Sequence, residues 1–94
     1  MSIVHGEASN FLATFMQNHA VALPLDDDRE VINSYLESGF VFIAGPFIKP
    51  LPPHGVLKKV YVVAKPDEIA NAVHEVGMEA FSGFFKNLNL NVAK

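Results

Sequence analysis

The sequence predicts an α+β domain in which an antiparallel sheet is covered by helices, in the ferredoxin-like order βαββαβ with two helices on one face. Three observations carry this expectation. Two amphipathic stripes at helical spacing begin at acid-rich or Pro-led starts, at Asp26-Asp27-Asp28 and at Pro66-Asp67-Glu68. Two β-rich apolar runs, Phe40–Ile48 and Val56–Lys65, stand between them. Half of the 94 residues are hydrophobic and only 18% are charged, enough apolar material for one core and one domain.

Met1–Ser9 reads as a loose lead-in, and residues 10–94 as a single domain. Asn10–Gln17 is ambiguous. Ala8, Phe11, Leu12, Phe15, Met16 and His19 fall on a helical stripe, whereas Phe11, Ala13 and Phe15 alternate with Leu12, Thr14 and Met16 as in a strand covered on both faces. Consistency with the rest of the chain selects the strand as the first β element. Ala20–Leu25 follows as an apolar connector broken by Pro24.

The three aspartates at 26–28 supply an N-cap and negative charge at the positive end of a helix dipole. Val31, Ile32, Tyr35 and Leu36 form the stripe of the helix that follows, and Gly39 suits the left-handed position that ends it. Phe40–Ile48 is a strand apolar on both faces, bent or ended by Gly45-Pro46. Lys49–Gly55 has three Pro in seven residues and forms a stiff loop. In the next strand Val60, Val62 and Ala64 face one way, Tyr61 and Val63 the other. Pro66 opens a second helix with Ile69, Ala72, Val73, Val76 and Ala80 on its buried stripe, which Gly77 ends or kinks. Met78–Phe85 reads as an aromatic turn. Leu88, Leu90 and Val92 then alternate with Asn87, Asn89 and Asn91 as a terminal strand.

Two helices cover one face of such a sheet, yet its second and third strands are apolar on both. A second copy is the simplest cover, so a homodimer or higher oligomer is expected.

Composition excludes several function classes. The formal charge is −3 and only Lys58–Lys59 are adjacent basic residues, so no basic stripe exists for nucleic acid. No apolar run reaches the ~20 residues that span a bilayer, and the first ten residues lack a signal-peptide pattern. A cytoplasmic chain with no membrane partner is therefore expected. There is no Cys, no pair of His at metal-ligand spacing and no EF-hand pattern after Asp26–Asp28, so neither metal nor cofactor is expected. Ser9, Ser34, Ser38 and Ser82 lack a nucleophile elbow, and Gly45 and Gly55 make no phosphate loop.

Tyr35-Leu36, Gly39 and Ala44-Gly45-Pro46 give Arg29–Phe47 a helix–Gly–strand–A-G-P pattern. This resembles the YciI-like (YCII-related) family of small dimeric α+β barrels, related in architecture to muconolactone isomerase. The likeness extends from Phe11 to Val92, with its signal in the middle third. It implies a dimeric α+β barrel and a mostly apolar small-molecule pocket between helices and sheet, lined by Phe15, Tyr35, Phe47 and Tyr61. The family typically places a His at the start of the first helix and an Asp in the loop after A-G-P. Here the helix start is Asp28 and the loop holds His54, so the two halves of the pair have changed places.

His54 with Asp28 is accordingly the candidate catalytic pair, since a carboxylate fixes the tautomer of a His that shuttles a proton. Lyase, isomerase or hydrolase-type chemistry follows from such a pair. A plainer alternative outweighs it: Asp28 is an N-cap and His54 a solvated turn residue. Phe81, Phe84 and Phe85 read as core rather than pocket wall, and His74 as a solvated helix residue. Lys49-Pro50-Leu51-Pro52-Pro53 resembles a segment that docks in aromatic grooves, but a rigid hairpin loop that protects the sheet end is the preferred reading. The alternative to a small-molecule protein is a non-catalytic interaction or regulatory module.

Overall fold

The computed structural model describes the backbone of residues 5–92 and the side chains of residues 6–86. Along the chain run α1 (His5–Asn18), β1 (Ala20–Pro24), α2 (Arg29–Glu37), β2 (Val41–Leu51), β3 (Val56–Ala64), α3 (Pro66–Val76) and α4 (Met78–Val92). Among the described residues the three strands form one antiparallel sheet in the order β1-β3-β2. Both neighbours run antiparallel to β3, so β1 and β2 are mutually parallel and α2 is the crossover between them.

The α+β class and the central segment α–β–β–α, from Arg29 to Val76, agree with expectation, but what lies on either side of it does not. Asn10–Gln17 lies in α1, not in a strand. Ala8, Leu12 and Phe15 are buried with Met16 packed beside them, whereas Phe11 is 36% exposed. The stripe thus follows the 3.6-residue period through Ala, Leu and Met, all good helix formers. The first strand is instead Ala20–Pro24, which the sequence suggests as a connector since two Ala and a terminal Pro are weak strand material. The aromatic turn and the strand expected over Phe85–Val92 are one helix, α4. Phe81, Phe84, Phe85, Leu88 and Val92 carry a longer helical period than the brief Asn–Leu alternation, and Asn is a poor strand former. The fourth strand of a ferredoxin-like order is therefore not found among the described residues.

Expectation and structure agree closely at α2. Gly39 adopts φ +92°, its N–H donates to Leu36 O at 3.1 Å, and Phe40 N–H donates to Tyr35 O at 3.0 Å. This is the paired pattern of a Schellman ending. The Phe40 and Tyr35 rings meet edge to face at 5.3 Å, supplying its usual apolar contact.

Gly45-Pro46 bends the β2 ladder without ending it. The register steps between Phe42 and Ala44 and again before Phe47, then pairing continues to Leu51 opposite Val56. At Gly45, φ is +113° and an added Cβ would lie 2.7 Å from Val60 O and 2.9 Å from Tyr61 Cδ1, so only glycine fits. The Pro-rich segment is accordingly divided: Lys49–Leu51 extend β2, and residues 52–55 form the turn, in which Gly55 N–H donates to Leu51 O at 2.8 Å.

Helices α1, α3 and α4 share one face of the sheet. Leu12, Phe15, Ala72, Phe81 and Phe85 pack there on Ala44, Phe47, Val62 and Ala64. The opposite face carries α2, through Tyr35 against Phe42 and Phe42 against Tyr61, with ring centroids 6.0 and 5.1 Å apart. The expectation that two helices share one face and leave the other bare is thus corrected: three cover one face and one covers the other. That one helix buries none of its residues fully.

Candidate functional site

His19 follows α1, and its position at the helix end explains its bonding. The last carbonyls of a helix lack intrahelical partners. The Phe15 carbonyl accepts a hydrogen bond from His19 Nδ1 at 2.9 Å, and the imidazole stacks on the Phe15 ring at 4.1 Å. Because a carbonyl only accepts, Nδ1 carries the hydrogen and Nε2 is left to face the neighbouring helix. Nε2 lies 3.5 Å from Glu68 Oε2. Glu68 is the third residue of α3, and its other oxygen accepts the Lys65 backbone N–H at 2.8 Å. That hydrogen bond first, and His19 second, hold the Glu68 carboxyl below its ordinary pKa. The resulting chain of contacts joins the end of α1 to the start of α3. An open hollow of about 360 Å³ lies beside it, lined by Asn10, Phe11, Thr14, Phe15, Asn18 and His19.

The candidate pair from the sequence lies elsewhere. Asp28 precedes α2, but its side chain makes no capping hydrogen bond; Oδ2 accepts from Lys59 Nζ at 3.1 Å. That bond raises the Lys59 pKa. His54 is exposed in the turn between β2 and β3, and no described hydrogen bond or ion pair joins it to Asp28. The four residues expected to line a pocket are divided by the sheet. Phe15 and Phe47 are buried in the core with α1 and α4, whereas Tyr35 and Tyr61 are half-buried on the α2 face. A strand over Asn10–Gln17 gives no reason to bring His19 to Glu68, so the sequence reading does not find this pair. On a helix, His19 falls four residues after Phe15 and ends the same stripe, which is the signal that identifies it.

The end of the sheet that holds the β2–β3 turn is chemically distinct. None of the ten acidic residues lies between Glu37 and Asp67, whereas Lys49, Lys58 and Lys59 all do. Lys49 and Lys58 are direct cross-strand partners, and Pro24 pairs with Lys58 on the other side. The acidic turn at Asp26 and Asp27, both exposed, therefore begins where β1 ends beside Lys58.

Among the described residues, no cluster of three or more His, Asp or Glu is placed to hold a metal ion, and no helix is long and apolar enough to cross a membrane. Comparisons with protein-family models, curated proteins and solved structures give no match to the chain.

Proposed function

We propose that this protein is a non-catalytic interaction module that works as a homo-oligomer. One observation carries the reading: the sheet face under α2 leaves large apolar side chains in solvent. Val31 and Leu36 on α2 are 37% and 51% exposed, and Ile48 and Leu57 on the same face of the sheet are each 48% exposed. The sequence stripe Val31–Ile32–Tyr35–Leu36 is thus only half used, by Ile32 and Tyr35. Apolar residues grouped on one face in this way mark association surfaces more often than single exposed ones do. A second copy covering this face would also account for strands apolar on both sides.

Sedimentation velocity tests the proposal. The wild-type chain should sediment as a dimer or larger species at micromolar concentration, and Val31→Asp/Leu36→Asp should shift it to monomer with an unchanged far-UV circular dichroism spectrum. A wild-type chain that remains monomeric at 100 µM, about the weakest range for a stable association, would sink it.

A second reading, YciI-like small-molecule chemistry, is favoured by the 3.5 Å approach of His19 to Glu68 beside the hollow on α1. A His–carboxylate pair at a pocket mouth suits acid–base catalysis. Within the family likeness, His54 with Asp28 is the proposed pair, and it requires Asp28 to leave Lys59. Its test is NMR titration of the His19 and His54 ring protons in wild type and in Glu68→Gln and Asp28→Asn. If neither histidine responds to the loss of its carboxylate, the acid–base reading fails.

A further inference from the structure

We propose that the gap between His19 and Glu68, with the hollow on α1 beside it, binds a small aromatic amine in its ammonium form. The proposal rests on that hollow being a ligand site, as in the second reading, but it requires no turnover and no self-association.

The His19–Glu68 contact lacks a hydrogen. Nδ1 donates to the Phe15 carbonyl at 2.9 Å, so in the neutral ring Nε2 presents a lone pair. Glu68 Oε2 faces it at 3.5 Å, and an ionised carboxylate only accepts. The ionised form is favoured because Oε1 already accepts the Lys65 backbone N–H at 2.8 Å, which holds this carboxyl below its ordinary pKa. Two acceptors are therefore aimed at one point. Either a second proton on the imidazole or a donor from outside completes the contact.

The geometry and the charge both suit an ammonium as that donor. A nitrogen about 2.9 Å from each acceptor forms a triangle on the 3.5 Å base, and an ammonium has three hydrogens to share. Among the described residues no Lys or Arg is ion-paired with Glu68, and the Lys65 ammonium lies over the Phe40 ring, 5.2 Å from its centroid. A cation thus gains a charge-assisted bond that water or a neutral hydroxyl does not. The side chains of His19 and Glu68 are 21% and 45% exposed, so a ligand can reach the gap.

The hollow specifies what carries the ammonium. Phe11, Phe15 and His19 follow one another at four-residue spacing and form one row on α1, with Asn10, Thr14 and Asn18 in the adjacent row. Phe81 and Phe85 hold the Phe15 ring edge to face at 6.3 and 6.2 Å, which fixes the floor of that row. None of these six residues is Asp, Glu, Lys or Arg, so the body of the ligand is uncharged, with a flat apolar part against Phe11. Rungs of the row are about 6 Å apart along the helix, a distance that a two-carbon link between ring and nitrogen spans.

NMR titration of the wild-type chain with phenethylammonium at about pH 8, where an alkyl ammonium keeps its charge, tests the site. Saturable shifts should appear at the His19 ring and at the Asn18 side-chain amide. Ethylammonium, which lacks the ring, and phenylacetate, which reverses the charge, should each bind at least about tenfold more weakly. Phe11→Ala and Glu68→Gln should weaken phenethylammonium by the same factor, the latter because its new amide can itself donate to Nε2. Circular dichroism checks that both variants fold, and either one suffices if the other misfolds. Absence of saturable shifts up to about 10 mM overturns the proposal, as does equal binding of either control or full affinity in Glu68→Gln. So does a 15N spectrum of the free protein with both His19 nitrogens protonated at that pH, because the gap then holds its own proton. A chain that binds the amine but shows no acid–base response keeps this site and loses only the catalytic reading.

Discussion

Replacing Gly45 by alanine isolates what the bend in β2 demands of the chain. The residue has φ +113°, where an L side chain is strained, and its Cβ would sit 2.7 Å from Val60 O, 2.9 Å from Tyr61 Cδ1 and 3.0 Å from Tyr61 Cα. Two of those three neighbours are backbone atoms of the central strand, which cannot swing aside as a side-chain tip can. The positive φ alone costs about 1–2 kcal/mol. Overlap with a packed backbone adds about 1–3 kcal/mol. The sum, about 2–5 kcal/mol, is a large share of the 5–15 kcal/mol expected of a small domain. Gly39→Ala supplies the control. It shares a positive φ, +92°, but nothing lies within 4 Å of its added Cβ, so only the backbone cost of about 1–2 kcal/mol applies. Urea denaturation followed by circular dichroism measures both. Gly45→Ala should cost at least about 1 kcal/mol more than Gly39→Ala, which corresponds to a further ~4–8 °C in Tm. Equal losses would refute the steric reasoning and leave only φ.

Helix α1 yields a second contrast: Leu12→Ala should destabilise by about 2–5 kcal/mol and Phe11→Ala by much less, since Leu12 is fully buried and Phe11 is 36% exposed. A strand over these residues would make Phe11 and Phe15 equivalent, so similar losses at Phe11 and Phe15 would count against the helix. Acid should expose the Glu68 contacts. Its folded pKa is lowered, so its contribution is present above the unfolded value near 4.3 and lost as pH falls through the lower folded value. The stability difference between wild type and Glu68→Gln should therefore shrink below pH ~4.3. Lys59 has the opposite sign: its raised pKa contributes below about pH 10.4 and is lost as pH rises through the folded value. Asp28→Asn should flatten that alkaline decline in a pH series of melts.

The middle of the fold was legible because its signals are local and redundant. Gly39 alone specifies a helix end, and the Leu36 and Tyr35 carbonyls meet it as that geometry requires. Pro66 and Glu68 likewise announce α3 before any tertiary contact is known. The ends were not legible because two periods competed there. Residues 10–17 satisfy both a helix and a strand period, and only an assumed topology, not Leu12 or Phe15 themselves, favours the strand. At 87–92 a six-residue alternation hid a longer aromatic stripe starting at Phe81. The candidate pair fared as it did for a related reason. Asp28 was placed next to a helix start correctly, but nothing in the linear sequence says that Lys59, 31 residues away, takes its carboxylate.

The central position of β3 has a kinetic consequence. Its partner β2 is joined to it by a tight turn and can pair within the microseconds typical of hairpins. Its other partner, β1, must close a loop of roughly 40 residues, which costs about 2 kcal/mol more chain entropy than a hairpin turn. The segment from α1 through β1 is therefore expected to dock onto a preformed β2–β3 ribbon and to be the first to release. In native-state hydrogen exchange, the amides shared by β1 and β3 should open at lower free energy than those shared by β2 and β3. The two edges of one three-stranded sheet would then belong to different cooperative units.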